Sequence, residues 1–439
     1  MSVDKLKNSI GLRLIIIGAL SLILLIPAFM IQALITEREQ RRDSAIFEVS
    51  DKWGDSQVLA GPVLTVPYKN LVKDDKGNLV AVIEHAHFLP ENLTITVELY
   101  PEIRYRGIYE VILYNSKLQV QGDFTPPDFN KFNILPENIL WKDAFLALGL
   151  SDLKGIRDIV KIKWNGEELV ANAGIESKAV LGVGISVKPV ITASAGSYSF
   201  GADLNLNGSS EFGFVPVGKE TKVTISSKWG NPSFVGEYLP NARQVRHDQF
   251  NAEWKILHLN RNYPQQWVGS QHKIMESTFG VKLLLPIDEY QKTMRTAKYA
   301  IMFIALTFLA FFLTEILNKK VIHPIQYILI GLALILFYTL LLSFSEHVRF
   351  NFAYLISSTA IIALITAYTK SVLSNNLATA IIAGVLIVLY GFLYIILQLQ
   401  DYALLLGSIG LFVILAIVMY VTRNIDWFAI GKPTIEQTK

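Results

Sequence analysis

His85-Ala86-His87 is a first place where side-chain types and spacing suggest chemistry. In a strand, residues i and i+2 share a face, so the two imidazoles could grip a metal ion together. A zinc site needs at least a third protein ligand, and no local spacing supplies one. A solvated strand face is the plainer reading. Ser151-Asp152-Leu153-Lys154 has the S-x-x-K spacing of a serine nucleophile with a lysine base, but the S-D-N and K-T-G elements that accompany it are absent. Gly182-Val183-Gly184 opens a G-x-G without its third glycine, so a dinucleotide site is not expected. G-x-S-x-G, P-loop and H-E-x-x-H patterns are also missing. The chain has no cysteine, which removes disulfides, thiolate metal sites and a cysteine nucleophile together. The sequence therefore predicts no catalytic residue, no metal and no cofactor.

One cluster of charge is more suggestive. Glu346 and His347 close one apolar segment, with Arg349 just beyond, while Arg295 and Lys298 open another. On the topology argued below, all five lie at one depth. Opposite charges there could pair and tie the helices to the neighbouring domain, and a histidine there could titrate near physiological pH. Ordinary interfacial pairing is the simpler reading. Glu315 lies beside Lys319 and Lys320 and reads as interfacial too.

The elements that would position these residues are of two kinds. Of 439 residues, 51% are hydrophobic and only 18% charged, against about a quarter charged in soluble domains. The deficit is concentrated in the last third. Leu12 to Ile35 is an almost unbroken apolar run, long enough to span a bilayer. It lacks the short core and small-residue cleavage site of a signal peptide, and reads as a retained anchor. Five more spans follow at about 297–317, 325–344, 350–368, 377–397 and 403–421, joined by short turns that make neighbours antiparallel. Lys319, Lys320, Lys370, Arg423 and Lys432 fall on the side of the N-terminus, whereas the opposite short loops hold only Arg349. The positive-inside rule then puts both termini in the cytoplasm and the large domain outside, although Arg38, Arg41, Arg42, Arg295 and Lys298 flank the outer side. The spans lack the midplane charge and the broken helices of transporters.

Between the first two spans the pattern changes to period two. Tyr109–Tyr114 and Leu118–Gly122, Ala202–Gly208 and Lys222–Ser226 alternate as strands do, with turn residues every dozen or so positions. Glu37 to Asp51 reads as helix continuing the anchor. The proline-rich break at 125–136 divides two possible β subdomains, and Lys142–Leu150 reads as a helix. Leu118-x-Val120-x-Gly122 is echoed by Leu204-x-Leu206-x-Gly208. A net charge of +3 without an aromatic-interleaved basic patch predicts no nucleic-acid partner.

Longer strings carry a family resemblance. Ala297-Lys298-Tyr299-Ala300-Ile301 through Ile304–Phe308, then His323-Pro324-Ile325-Gln326-Tyr327 and Ser343-Phe344-Ser345-Glu346-His347, resemble the membrane signature of the CreD inner-membrane proteins. Trp229–Gly236 to Leu239-Pro240 and Thr422–Trp427 resemble the same family. The resemblance implies an inner-membrane protein of Gram-negative bacteria with a periplasmic domain, linked to envelope integrity, to a sensor-kinase regulon, to colicin tolerance and to β-lactam responses. It implies no catalytic residues.

The expected architecture is an α+β membrane protein: a cytoplasmic start and first span over 1–35, a periplasmic β-sandwich-like domain over 36–294, a bundle of five transmembrane helices over 295–421, and a cytoplasmic tail over 422–439. Its expected partners are the lipid bilayer and either a periplasmic protein or an envelope component. The expected function is non-enzymatic, an envelope-integrity or stress-response protein. The alternatives are a transporter or lipid-handling protein gated near Arg295, Glu346 and His347, and an envelope hydrolase.

Overall fold

The computed structural model describes residues 10–73, 78–191, 196–285, 289–318, 320–399 and 402–423. Lys319, Lys432 and most of the Thr422–Trp427 string lie outside them. Contacts divide the chain into two compact units, Met1–Arg41 with Ile287–Lys439, and Arg42–Pro286.

The first unit is helical. Helix α1 spans Ile10–Ile23 and α2 spans Leu25–Trp53. Pro27 accounts for the interruption at Leu24, because a proline ring clashes with the carbonyl four residues before it and offers no N–H. After the second unit come α3 (Glu289–Lys298), α4 (Ala300–Leu317), α5 (Pro324–Ser345), α6 (Phe350–Leu373), α7 (Asn376–Gln398) and α8 (Ala403–Thr422). Among the described residues six helical segments are long and apolar enough to cross a membrane, one near the N-terminus and α4 to α8. Helix ends follow from local chemistry. His323 caps α5 with Pro324 next to it, and the Asn375 carboxamide oxygen accepts the Leu377 and Ala378 N–H groups at the start of α7.

The second unit consists of two sheets around one core. Four long strands define its frame: β1 (Gln57–Lys73), β2 (Leu79–Phe88), β3 (Asn92–Arg106) and β4 (Tyr109–Phe124). In one sheet, β1 lies between Glu211–Val215, to which it is parallel, and Phe145–Leu150, and it also pairs with β2. In the other, β3 pairs with β4 and, in parallel, with Glu220–Ser227, while β4 pairs with Tyr198–Ser209. Alternation sets which face is inward: Leu93, Ile95, Val97 and Leu99 of β3 are all buried. They join Leu118, Val120, Leu204 and Trp254 of their own sheet, and Leu59, Val66, Phe145 and Phe279 of the other, in one hydrophobic cluster. The echoing segments at 118–122 and 204–208 belong to neighbouring strands of one sheet, with Leu204 opposite Leu118.

The sequence reading of Lys142–Leu150 as a helix is corrected. The structure has a 3-10 turn at Trp141–Asp143 and a strand at Phe145–Leu150, every residue of which is buried. A six-residue apolar run covered on both faces carries no period that separates strand from helix.

Within this unit, the end of α2 is fastened to the β3–β4 hairpin. Arg106 holds Glu48 at 3.0 Å, the Arg104 guanidinium lies 4.1 Å from the Trp53 ring centre, and Trp53 Nε1 donates to the Tyr114 carbonyl. The helix stops at Gly54, where φ is +136° and an added Cβ would lie 2.8 Å from the Asn207 carbonyl oxygen, so no side chain fits.

Candidate functional site

The five residues singled out for charge do not form one mutual cluster. Tyr290, Thr293, Thr296 and Ala297 form the buried side of α3, whereas Arg295 is half-buried and Lys298 exposed. Among the described residues neither cation pairs with Glu346. Its carboxylate instead accepts the Tyr290 hydroxyl at 3.1 Å and lies 3.9 Å from the guanidinium of Arg38, on α2. His347, in the turn just beyond α5, has its Nδ1 3.1 Å from the Ser343 carbonyl oxygen in the last turn of that helix. Arg349 is exposed at the N-cap of α6, whose first N–H, that of Phe350, donates to Glu289 at 3.0 Å.

A second charge pair was not anticipated as such. Glu315, read from sequence as interfacial, is buried: its side chain is 2% exposed and that of Arg13, on α1, is 23% exposed. Their charged groups are 2.9 Å apart, and the Tyr327 hydroxyl of α5 donates to the other carboxylate oxygen at 3.0 Å. Arg13 and Arg38 are separated by 25 positions, about 37 Å along a helix. That span exceeds the ~30 Å hydrocarbon thickness. The N-terminal helical segment is therefore clamped to the bundle near both of its ends. Between them Leu24 rests on Gly331, where a Cβ would come within 2.1 Å of a Leu24 methyl. The sequence does contain one signal for this: each arginine bounds the first apolar run.

The sequence motifs of the second unit are absorbed into its packing. His85 and His87 do share a face, with ring centres 6.4 Å apart. His87 is buried, and its Nδ1 lies 3.0 Å from the Thr65 hydroxyl. Burial pushes its pKa down to about 4, and burial likewise lowers that of His85. Among the described residues no group of three His, Cys, Asp or Glu could hold a metal. Ser151 Oγ donates to the Ser56 carbonyl at 2.6 Å and accepts the Val58 N–H, while Lys154 pairs with Asp51 at 2.6 Å. Both would-be catalytic groups are thus engaged, and with different partners. Gly184 is required by packing, since a Cβ there would meet the Leu148 carbonyl at 2.2 Å. An open groove of about 460 Å³ is lined by Tyr100, Asn115, Lys117, Arg157, Asp158 and Asn205. Arg157 donates to Asn115 and Asn205 to Asp158 within it, so these groups already satisfy one another.

The conspicuous exposed feature is the far part of the β1–β2 hairpin. From Lys69 paired with Ile83 to Lys73 paired with Leu79, the two strands pair only with each other among the described residues. Leu71, Leu79 and Ile83 are exposed on one face and Val72, Val80 and Val82 on the other. The base of this ribbon is pinned by Glu84, which accepts from the Tyr68 hydroxyl at 2.5 Å and from Asn70 at 3.0 Å. The Tyr68 hydrogen bond, followed by that from Asn70, holds the Glu84 carboxyl below its ordinary pKa. The His85 carbonyl accepts from Gly269 N, on the side away from β1. Because backbone groups alternate along a strand, those of Ile83 and Ala81 face the same outer edge.

The six apolar helical segments among the described residues, with a two-sheet domain placed in sequence between the first and the rest, define a polytopic membrane protein carrying one large extramembrane domain. The chain belongs to the CreD family: the family model for inner membrane protein CreD matches residues 9–428. It is 33% identical over 424 residues to the inner membrane protein CreD of Escherichia coli strain K12, covering 95% of this chain and 94% of that one. It is an inner-membrane protein with several spanning helices.

Proposed function

We propose that this protein supports envelope integrity without catalysis of its own, by presenting its β domain in the periplasm to a polypeptide partner. Both chain ends lie in the cytoplasm in this reading, with 36–294 outside and 295–421 as the anchoring bundle. The observation that carries it is the β1–β2 ribbon. Apolar side chains on both faces of an exposed two-stranded ribbon are uncommon in a domain that works alone. Open strand edges are also a liability that proteins usually cover. Edge N–H and C=O groups in register are matched by another backbone, which favours strand addition by a protein over binding of a glycan or a lipid.

The test is a photoreactive residue at Leu71 or Ile83 of the full-length protein in intact cells, with Asp203 on the other sheet as control. A discrete protein adduct from the ribbon positions and none from Asp203 supports the reading. Ala81→Pro deletes one outward N–H while sparing the β1–β2 ladder. It should abolish the Leu71 adduct. An adduct that survives Ala81→Pro, or no adduct at normal protein levels, overturns strand addition.

A further inference from the structure

Hydroxyl groups in the helical bundle follow a rule with informative exceptions. Thr293, Thr296, Thr314, Thr369 and Thr379 each donate to the carbonyl four residues back, at 2.7 to 2.9 Å. Ser345 and Ser358 donate to the carbonyl three residues back. Thr307 of α4 and Ser357 of α6 do neither, and they and the Tyr338 hydroxyl of α5 have no hydrogen-bond partner among the described residues. These three residues are 1%, 0% and 1% exposed, respectively. Thr366 is also unpartnered, but it is only half-buried and nearer the other end of α6.

The three share a depth. Thr307 is seven residues after Ala300, Ser357 seven after Phe350, and Tyr338 seven before Ser345. Those three helix ends lie on one side because successive helices are antiparallel, so each residue is about 10 Å in from that side. The helices meet at this level. Tyr390 of α7 touches Phe303 and Phe337 at ring distances of 5.3 and 4.8 Å, and Phe337 touches Tyr354 at 5.5 Å. Phe303 is one turn from Thr307, Phe337 adjoins Tyr338, and Tyr354 is one turn from Ser357.

We propose that Thr307, Tyr338 and Ser357 form a buried binding site for an uncharged hydrogen-bonding oxygen, supplied by water or by the hydroxyl or carbonyl of a neutral lipid. An unmatched hydroxyl in an apolar interior is costly, and three at one level multiply that cost unless a common partner meets them. Each hydroxyl can both donate and accept, which suits a neutral oxygen. A charged ligand would have no counter-charge at this level, since the described acidic and basic side chains of the bundle lie near its two ends.

Thr307→Val, Tyr338→Phe and Ser357→Ala remove each hydroxyl with little change of shape. In lipid nanodiscs each variant should lower the Tm of the full-length protein by about 2–4 °C. The Tyr338→Phe/Ser357→Ala pair, on the closely packed α5 and α6, should fall by clearly less than the sum, because both lose one shared partner. Tm values that stay unchanged or rise would overturn the site, since apolar replacements relieve an unmet hydroxyl. Strictly additive losses would overturn it too, as they indicate independent packing effects. Repeating the pair in lipid-free detergent identifies the source: coupling that persists assigns water, and coupling that returns only on adding diacylglycerol assigns a lipid oxygen.

Discussion

The carboxylate of Glu315 lies 2.9 Å from the guanidinium of Arg13, a residue 302 positions earlier in the chain. With Arg38 and Glu346 toward the other end, this contact makes the N-terminal helical segment an integral part of the bundle and not merely a tether.

The pair should respond asymmetrically to mutation. Arg13→Ala strands a carboxylate that is 2% exposed, and breaking such a pair costs about 3 kcal/mol or more. Glu315→Gln leaves an arginine that is 23% exposed and can reach the interface, so its loss should be clearly the smaller. Thermal unfolding of the two variants in nanodiscs reads the difference. Equal losses would show that the guanidinium is not what offsets burial of Glu315.

Packing of the same segment depends on Gly331. A methyl there would come within 2.1 Å of a Leu24 methyl, which must shift. Gly331→Ala should destabilise by about 1–3 kcal/mol. Adding Leu24→Ala should recover part of that loss, because the contacts are shared. A double variant whose loss equals the sum of the single losses would place the strain elsewhere.

Acid should loosen the β domain through His87. Its folded-state pKa is depressed to about 4 from an ordinary 6.5. The unfolded chain therefore takes up a proton that the native state refuses as pH falls through that window. Stability is full above about pH 6.5 and declines until about pH 4, by roughly 3 kcal/mol in all. His87→Asn should flatten this part of the pH dependence of urea unfolding. A slope between pH 6.5 and 4 that is the same in the variant would assign the effect to other groups.

How much of this was legible depended on the range of the interaction. The spans were readable because about 20 contiguous apolar residues have few other meanings. Strands such as Tyr198–Ser209 and Glu220–Ser227 are readable because one face is buried, so the side chains alternate. Phe145–Leu150 was not, since it is covered on both faces and the alternation vanishes. The charge cluster falls at suitable helix ends, but depth in the membrane alone does not say which side of each helix a residue occupies. Tyr290 and Arg38 reach Glu346, and Arg295 does not, because the buried stripe of α3 runs through Tyr290, Thr293 and Ala297. The parallel pairing of β1 with Glu211–Val215 brings together residues some 155 positions apart, Gln57 with Phe212, and nothing local in the sequence announces it.

A role for the β domain in the envelope depends above all on the side of the membrane to which that domain is exposed. The chain has no cysteine, so single cysteines can be introduced and read without background. Val82→Cys on the ribbon and Ser374→Cys at the α6–α7 turn should be treated, in intact cells, with a thiol reagent that crosses the outer but not the inner membrane. A periplasmic β domain predicts labelling of Val82→Cys at once, and of Ser374→Cys only after the inner membrane is permeabilised. The reverse pattern would contradict it.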